Sequence, residues 1–319
     1  MGLLDRLGVE LPVVQAGMGG GVAGHELAAA VSDAGGLGTL GMLPPAALRG
    51  ALQQVRSATG RPVAVNLLLP FARSAHWEVA QDADLVVTFW GRPVRRTSGV
   101  WLHQCGSVEE ALAAHQAGAD AVIAQGVEAG GHVRGERPAL ELLERVRAAL
   151  PADYPVLLAG GVADAAEVSA ALDAGAAAAV LGTRFLLTEE SGAHGDYKRR
   201  ALEGSRTLLT RLFGAGWPAA HRVLPNAATD RWLGDDPAGP GWVRRLHRVT
   251  APALSRAPDA VIARAAALQR PGSPMLGPQP PVEGGPPGLL DAGPLYAGET
   301  VARITELRSA GELTRDLAS

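Results

Sequence analysis

Eight short apolar runs alternate with amphipathic, alanine-rich segments through the first 185 residues, and this alternation limits the fold more than any other feature. In chain order the predicted strands span residues 12–16, 36–41, 62–68, 84–89, 100–105, 119–125, 155–160 and 177–182. Strands that alternate with helical segments are typical of βαβ units, which build parallel sheets. The sequence therefore predicts an α/β protein with parallel strands.

Eight such strands can either close into a barrel or form an open, doubly wound sheet. Glycine clusters follow several different strands in this chain, whereas a dinucleotide-binding sheet concentrates its glycines after the first strand. The run GMGGGVAG after the first strand resembles GxGxxG, but no acidic residue closes the second strand to bind a ribose. We therefore predict a (β/α)8 TIM barrel.

The pattern changes after about residue 185. Residues 188–222 are predicted to be mainly helical, residues 225–295 are rich in proline and glycine, and residues 299–317 return to helical periodicity. We predict a barrel formed by residues 1–190 and 291–319. Residues 191–290 are predicted to form a smaller, mainly helical lid or cap region, inserted before the C-terminal helix.

Composition excludes several classes of protein. The net charge of −3 does not favour binding to nucleic acid or to an anionic membrane. No apolar run is long enough to span a bilayer and the N-terminus lacks the features of a secretory signal, so we expect a cytoplasmic protein. The single cysteine and the spacing of the eight histidines predict neither an intrachain disulfide nor a metal site.

Two glycine-containing turns predict a phosphate site. Gly160 and Gly161 directly follow the seventh predicted strand, and Gly182 and Thr183 directly follow the eighth. In TIM barrels these two turns commonly bind phosphate through main-chain N–H groups. The alternative is that the glycines only allow tight turns, but their presence at both positions favours a phosphate ligand.

The turn after the sixth strand, QGVEAGGH, carries an amide, a carboxylate and an imidazole to the same end of the barrel. Gln125 can hydrogen-bond a flat heterocycle, and His132 can act as an acid, a base or a hydrogen-bond donor. The alternative is an exposed histidine without a function. Asn66 and Met18 are predicted to reach the same rim, or else to serve only as core or turn residues.

These motifs together resemble the nitronate monooxygenase family, formerly the 2-nitropropane dioxygenases, which also contains flavin-dependent enoyl-acyl-carrier-protein reductases. The resemblance is carried by QGVEAGGH, by PVVQAGMGG near the N-terminus, by Asn66, by PVLLAGGVAD and AVLGTRFL, and by the tail PLYAGETV. It covers most of the barrel and is weak over residues 200–290. It implies a TIM barrel that binds FMN.

The resemblance also assigns roles to individual residues. His132 matches the catalytic histidine of the family, and Tyr296 lies in the tail that reaches the substrate pocket. The positions implied to bind FMN are Gly17, Met18, Asn66, Gln125, Gly130, Gly131, Gly160, Gly161, Val180, Leu181, Gly182 and Thr183. Gly17 replaces a proline found in many relatives, and Glu299 replaces a glutamine, which leaves the subclass open.

The activity that the resemblance implies is FMN-dependent oxidation of alkyl nitronates, and of nitroalkanes as an extension, by O2 to a carbonyl compound and nitrite. One alternative is an FMN- and NAD(P)H-dependent reductase of enoyl thioesters. Another is a non-catalytic flavin-binding accessory protein. The expected partners are therefore a small nitronate or nitroalkane and O2, with NAD(P)H in the first alternative; whether the chain forms a homodimer is open.

Overall fold

The computed structural model describes residues 2–319, which divide into two compact units. The first unit contains residues 2–129, 134–192 and 306–319, and the second contains residues 130–133 and 193–305. The prediction put residues 291–319 with the barrel, whereas the first unit resumes only at Glu306. Each unit has its own sheet.

The secondary structure follows the alternation seen in the sequence through the first unit. The strands are β1 (Val13–Gln15), β2 (Gly38–Leu40), β3 (Val63–Leu68), β4 (Leu85–Phe89), β5 (Val100–Cys105), β6 (Ala121–Gln125), β7 (Gly131–His132), β8 (Val156–Ala159), β9 (Ala179–Leu181), β10 (Leu208–Thr210), β11 (His221–Leu224) and β12 (Leu295–Tyr296). The helices are α1 (Leu3–Leu7), α2 (His25–Asp33), α3 (Pro45–Ala58), α4 (Ser74–Ala80), α5 (Val108–Gln116), α6 (Ala139–Ala149), α7 (Ala165–Asp173), α8 (Thr183–Leu186), α9 (Gly195–Leu202), α10 (Ala227–Trp232), α11 (Gly241–Leu254), α12 (Asp259–Ala267), α13 (Leu289–Ala292) and α14 (Ala310–Asp316), with a 3-10 helix at Glu299–Arg303.

The first unit is an eight-stranded parallel barrel. Its strands are hydrogen-bonded in the order β1, β9, β8, β6, β5, β4, β3, β2. The ring closes between β1 and the start of β2, where the Leu37 N–H donates to the Val13 carbonyl at 3.0 Å and the Leu37 carbonyl accepts from the Gln15 N–H at 3.0 Å. This arrangement confirms the predicted (β/α)8 barrel.

Alternate residues of each barrel strand enter different hydrophobic cores, as the two-residue period of a strand requires. In β6, Ala121 and Ile123 belong to one buried cluster inside the barrel, whereas Val122 and Ala124 belong to a second cluster that includes helix residues. The same alternation runs along β8 and β9. Because Gln125 shares the parity of Ile123, its side chain points inward at the C-terminal end of the barrel.

The second unit contains a four-stranded antiparallel sheet in addition to helices. In this sheet β11 pairs with β10, β12 and β7. The sequence predicted helix over residues 206–213, and this prediction was wrong, because Leu208–Thr210 form β10. None of the helices in residues 2–319 has the length and apolar character needed to cross a membrane.

Candidate active site

At the C-terminal rim of the barrel the side chain of Asn66, on β3, has one satisfied and one unsatisfied polar atom. Its Nδ2 donates to the Gly17 carbonyl at 2.9 Å. Its Oδ1 is buried and has no hydrogen-bond partner within residues 2–319. A buried acceptor without a donor costs free energy, so this atom fits a ligand that brings an N–H or O–H group.

Gly17, in the turn after β1, is required by this packing. A Cβ on Gly17 would lie 2.3 Å from the Asn66 Cβ, a separation that side-chain carbons do not adopt. The neighbouring Met18 is partly buried against the outer core, and its carbonyl accepts from the Ala23 N–H at 3.0 Å. The structure therefore brings Gly17 and Asn66 into contact.

Gln125 ends β6 and is almost fully buried. Its Oε1 accepts from the main-chain N–H of Arg134 at 3.1 Å, which fixes the direction of the amide. The Arg134 guanidinium pairs with Glu110 and lies 4.8 Å from the ring centroid of Trp90. Gln125 is thus oriented by the turn that follows it.

The turn after β8 contains two consecutive residues in the left-handed region. Gly160 has φ +107° and Gly161 has φ +77°, a pair of values that only glycine adopts without strain. A Cβ on Gly161 would be no nearer than 4.0 Å to any neighbour, so the space beside it is open. This turn leads into α7, whose N-cap Asp164 accepts from the Glu167 N–H at 2.9 Å.

A second turn with a glycine at this end of the barrel follows β9. Gly182 is the N-cap of α8, and Thr183 is its first residue. The side chains of Val180 and Leu181 lie instead in the two hydrophobic cores. Val180 and Leu181, which the resemblance implied to bind FMN, can therefore contact a ligand only through their main chain.

Glu128 has a structural role within the QGVEAGGH turn. Its two carboxylate oxygens accept from the Ala139 N–H at 3.1 and 3.0 Å, so they cap the first helical residue of α6. Gly126 makes room for this cap, since a Cβ there would lie 2.3 Å from the Glu128 Oε2. The carboxylate is thereby committed to the fold rather than to a substrate.

Trp90, directly after β4, is a rim residue that sequence reasoning missed. It has φ +63° and is the one non-glycine residue with positive φ in the part of the chain that the structure describes. Such backbone strain often accompanies functional sites. The signal was available in the sequence as an aromatic residue followed by Gly91 at the carboxyl end of a strand.

His132 lies in the second unit, on β7, within an aromatic cluster. Its ring stacks on Trp217 with centroids 3.6 Å apart and planes inclined by 18°. His221 and Tyr296 each lie 5.4 Å from it by ring centroids. Burial lowers the pKa of His132 well below its usual value of 6.5, and the adjacent His221 adds to the shift. At neutral pH the imidazole is therefore uncharged.

The neighbouring His221 is fixed in one tautomer. Its Nε2 accepts from the Phe213 N–H at 3.2 Å, so this nitrogen carries no proton, and its Nδ1–H donates to the Ala219 carbonyl at 3.0 Å. Burial lowers the pKa of His221 to about 3. With both ring nitrogens held by the main chain, His221 packs against His132 without exchanging protons with it.

Three other predicted site residues lie near His132 in the second unit. Gly130 and Gly131 precede it in the chain, and Tyr296 contacts it through its ring. The Tyr296 hydroxyl donates to the Pro278 carbonyl at 2.8 Å, and burial raises the pKa of this phenol. Gly130 packs tightly, since a Cβ there would lie 2.5 Å from the Gly298 nitrogen. Gly131 has φ +75° and turns the chain into β7.

The structure thus groups the predicted residues in two sets. One set lies at the barrel rim of the first unit and consists of Gly17, Met18, Asn66, Gln125, Gly160, Gly161, Val180, Leu181, Gly182 and Thr183. The other lies in the second unit and consists of Gly130, Gly131, His132 and Tyr296. The unpartnered Asn66 Oδ1 and the open glycine turns fit a phosphorylated heterocycle such as FMN.

A family model and a curated relative that match this chain both carry the description nitronate monooxygenase. The family model described as nitronate monooxygenase matches residues 2–100 and 94–232. A nitronate monooxygenase of Pseudomonas aeruginosa is 34% identical, with 69% of this chain and 78% of that protein covered.

Two solved structures have the same fold along almost the whole chain. A nitroalkane oxidase from Streptomyces ansochromogenes is 33% identical with a TM-score of 0.76, covering 99% of this chain and 96% of its own. FabK from Thermotoga maritima is 28% identical with a TM-score of 0.77, covering 99% of this chain and 94% of its own.

Proposed function

Since the chain belongs to the nitronate monooxygenase family of flavin-dependent oxidoreductases, we propose that it uses FMN and O2 to oxidise alkyl nitronates to a carbonyl compound and nitrite. We extend the proposal to nitroalkanes, the protonated forms of the same substrates. The observation that carries this extension is the half-buried, uncharged imidazole of His132, stacked on Trp217. An uncharged imidazole is the state that accepts a proton from carbon.

The barrel rim supplies the groups that would hold FMN. Main-chain N–H groups of the turns at Gly160–Gly161 and Gly182–Thr183 would bind its phosphate. The Asn66 Oδ1 and the amide of Gln125 would hydrogen-bond the polar edge of its ring. When bound, FMN supplies a ring that accepts electrons from the substrate and returns them to O2.

His132 has two roles in this proposal. With a neutral nitroalkane, a ring nitrogen of His132 accepts the proton from the carbon that bears the nitro group. With a nitronate, which has already lost that proton, the imidazole positions the substrate and the proton transfer is not needed. Tyr296, whose hydroxyl is held by Pro278, would limit the space beside the substrate.

A second candidate is the reduction of an enoyl thioester by NAD(P)H. The similarity to FabK over 99% of the chain supports it, because the family includes flavin-dependent enoyl reductases. The same barrel rim would hold FMN in both cases. The two candidates differ in the electron donor and in the product.

A product assay separates these candidates. The purified protein, saturated with FMN, is incubated in air with propionate 3-nitronate, with nitroethane, or with NADH and crotonyl thioester. The proposal predicts O2 consumption and nitrite release with the nitronate. Oxidation of NADH that depends on the thioester, without nitrite from either nitro compound, would favour the second candidate. Tight flavin binding with no turnover of any substrate would instead favour an accessory protein.

A further inference from the structure

The second unit contains a cavity of about 590 Å³ that is lined mainly by arginine. The lining residues are Arg211, Pro218, Gly241, Arg244, Arg245, His247 and Arg248. None of them belongs to the sets proposed to hold FMN or to act on a nitronate. The volume lies within the range of pockets for small-molecule ligands, about 300–1,000 Å³.

One face of α11 provides most of this lining. Gly241, Arg244, Arg245 and Arg248 follow the spacing i, i+3, i+4 and i+7, which places them along one stripe of the helix. Arg211 comes from the residue directly after β10. Two separate elements therefore direct guanidinium groups at the same cavity.

The charges of these arginines are only partly balanced. Arg244 pairs with Asp236 at 3.2 Å. Within residues 2–319, Arg211, Arg245 and Arg248 form no ion pair with a carboxylate. Several guanidinium groups at one cavity give it a positive potential, which favours an anionic ligand.

His247 also lines the cavity, and one of its ring nitrogens is unsatisfied. Its Nε2–H donates to the Pro274 carbonyl at 2.7 Å, so Nδ1 carries the lone pair of the neutral ring. The Nδ1 atom is buried and has no hydrogen-bond partner among residues 2–319. The imidazole is thus held in one tautomer beside the arginines.

We propose that this cavity, lined by four arginines and His247, binds a small molecule that carries two or more phosphate groups. Guanidinium groups bind phosphate through paired N–H donors, which suits a bis- or diphosphate better than a single carboxylate. The net charge of −3 argues against a nucleic acid, which would need a broadly basic surface. The inference does not depend on the proposed oxidation reaction.

Titration calorimetry on the FMN-saturated protein tests the proposal, with inorganic pyrophosphate, ADP and adenosine as probes at low ionic strength. Saturation with FMN occupies the flavin site, so that binding reports the arginine-lined cavity. We expect saturable binding of pyrophosphate and ADP, none of adenosine, and weaker binding as salt is added. Either order of affinity supports the site. Tighter binding of ADP would identify a nucleotide as the ligand class, and equal binding would identify the diphosphate alone.

The double variant Arg245→Gln/Arg248→Gln should weaken binding of both phosphate probes by at least about tenfold. The double variant Arg206→Gln/Arg264→Gln removes the same charge from exposed positions of the second unit that do not line the cavity, and should change affinity by less than about twofold. Equal affinity in the cavity variant and the wild type would overturn the proposal. So would binding of duplex DNA without saturable binding of either small phosphate.

Discussion

The chemistry of His132 depends on the side chains that surround it in its own unit. Neither Trp217 nor the neutral His221 carries a negative charge that would stabilise an imidazolium ion. Burial therefore dominates, and it holds the pKa of His132 well below 6.5. At neutral pH the imidazole is therefore uncharged and can accept a proton.

His132→Asn should separate the two roles proposed for this residue. We expect turnover of nitroethane to fall by about 10²-fold or more, because a general base is lost, whereas turnover of a nitronate falls much less. Steady-state nitrite assays with each substrate measure this difference. Equal turnover of wild type and variant on both substrates would remove His132 from the mechanism.

The pH dependence follows from the direction of the same shift. His132 must be unprotonated to act, and its folded-state pKa is lowered, so kcat/KM for nitroethane should stay level through pH 6.5 and fall only at lower pH. The His132→Asn variant should lack this acidic limb.

Residues near one another in the sequence were predictable, and residues brought together by folding were not. Gln125 ends β6, Gly160 directly follows β8, and His132 ends the QGVEAGGH motif. Barrel enzymes keep their functional groups at these carboxyl ends of the strands. Trp217 and His221 reach His132 only because β11 pairs with β7. No pattern in the sequence predicts the pairing of β11 with β7.

At the scale of elements, Glu128 shows that a motif can be structural in part. Glu128→Ala should lower the free energy of unfolding by about 1 kcal/mol, because the cap of α6 is lost. Denaturant unfolding measures the change, and Glu144→Ala, an exposed change on α6, is the control. Loss of nitronate turnover without loss of stability would show that the carboxylate serves catalysis instead.

The turn after β8 carries a second prediction. Gly161→Ala should lower stability by about 1–2 kcal/mol, since φ is +77°, and should also weaken FMN binding. Gly118→Ala imposes the same kind of strain at φ +85°, at the opposite end of the barrel. It should lower stability but leave FMN affinity unchanged. Fluorescence titration of the apoprotein with FMN compares the two, and equal affinities would exclude a role for the β8 turn.

The sequence predicted the strands well in the barrel, where a strand–helix unit repeats. It predicted them poorly in the second unit, where no such unit repeats. All eight barrel strands lie within their predicted ranges, because buried parallel strands are short apolar runs between helices. The weakest repeat lies between β4 and β5, where residues 90–99 contain no helix. In the second unit, β10 and β11 are three and four residues long, which is too short to display a two-residue period.

Each of the two units contains a buried, neutral histidine whose pKa is lowered. Burial lowers the pKa of His103 in the first unit to about 4, and that of His221 in the second to about 3. Between pH 6.5 and pH 4 the unfolded chain binds protons at these positions and the folded chain does not. The free energy of unfolding should therefore decrease as the pH is lowered from 6.5 to 4, by up to ~1.4 kcal/mol per pH unit for each histidine.

Replacing one of these histidines isolates its contribution from that of the carboxylates. In His103→Gln the Tm, followed by circular dichroism, should fall less steeply between pH 6.5 and pH 4 than in the wild type. Parallel curves for the two proteins would mean that His103 takes up a proton in the folded state.

We infer that this chain holds FMN and passes electrons to it from a nitronate. This inference can be tested with the visible absorbance spectrum of the FMN-saturated, desalted protein, recorded without O2 before and after addition of propionate 3-nitronate. We predict that the flavin absorbance is retained after desalting, bleaches with the nitronate, and returns when O2 is admitted, with release of nitrite. Loss of the flavin on desalting, or bleaching with NADH but not with the nitronate, would show that the protein is not a nitronate-oxidising flavoenzyme.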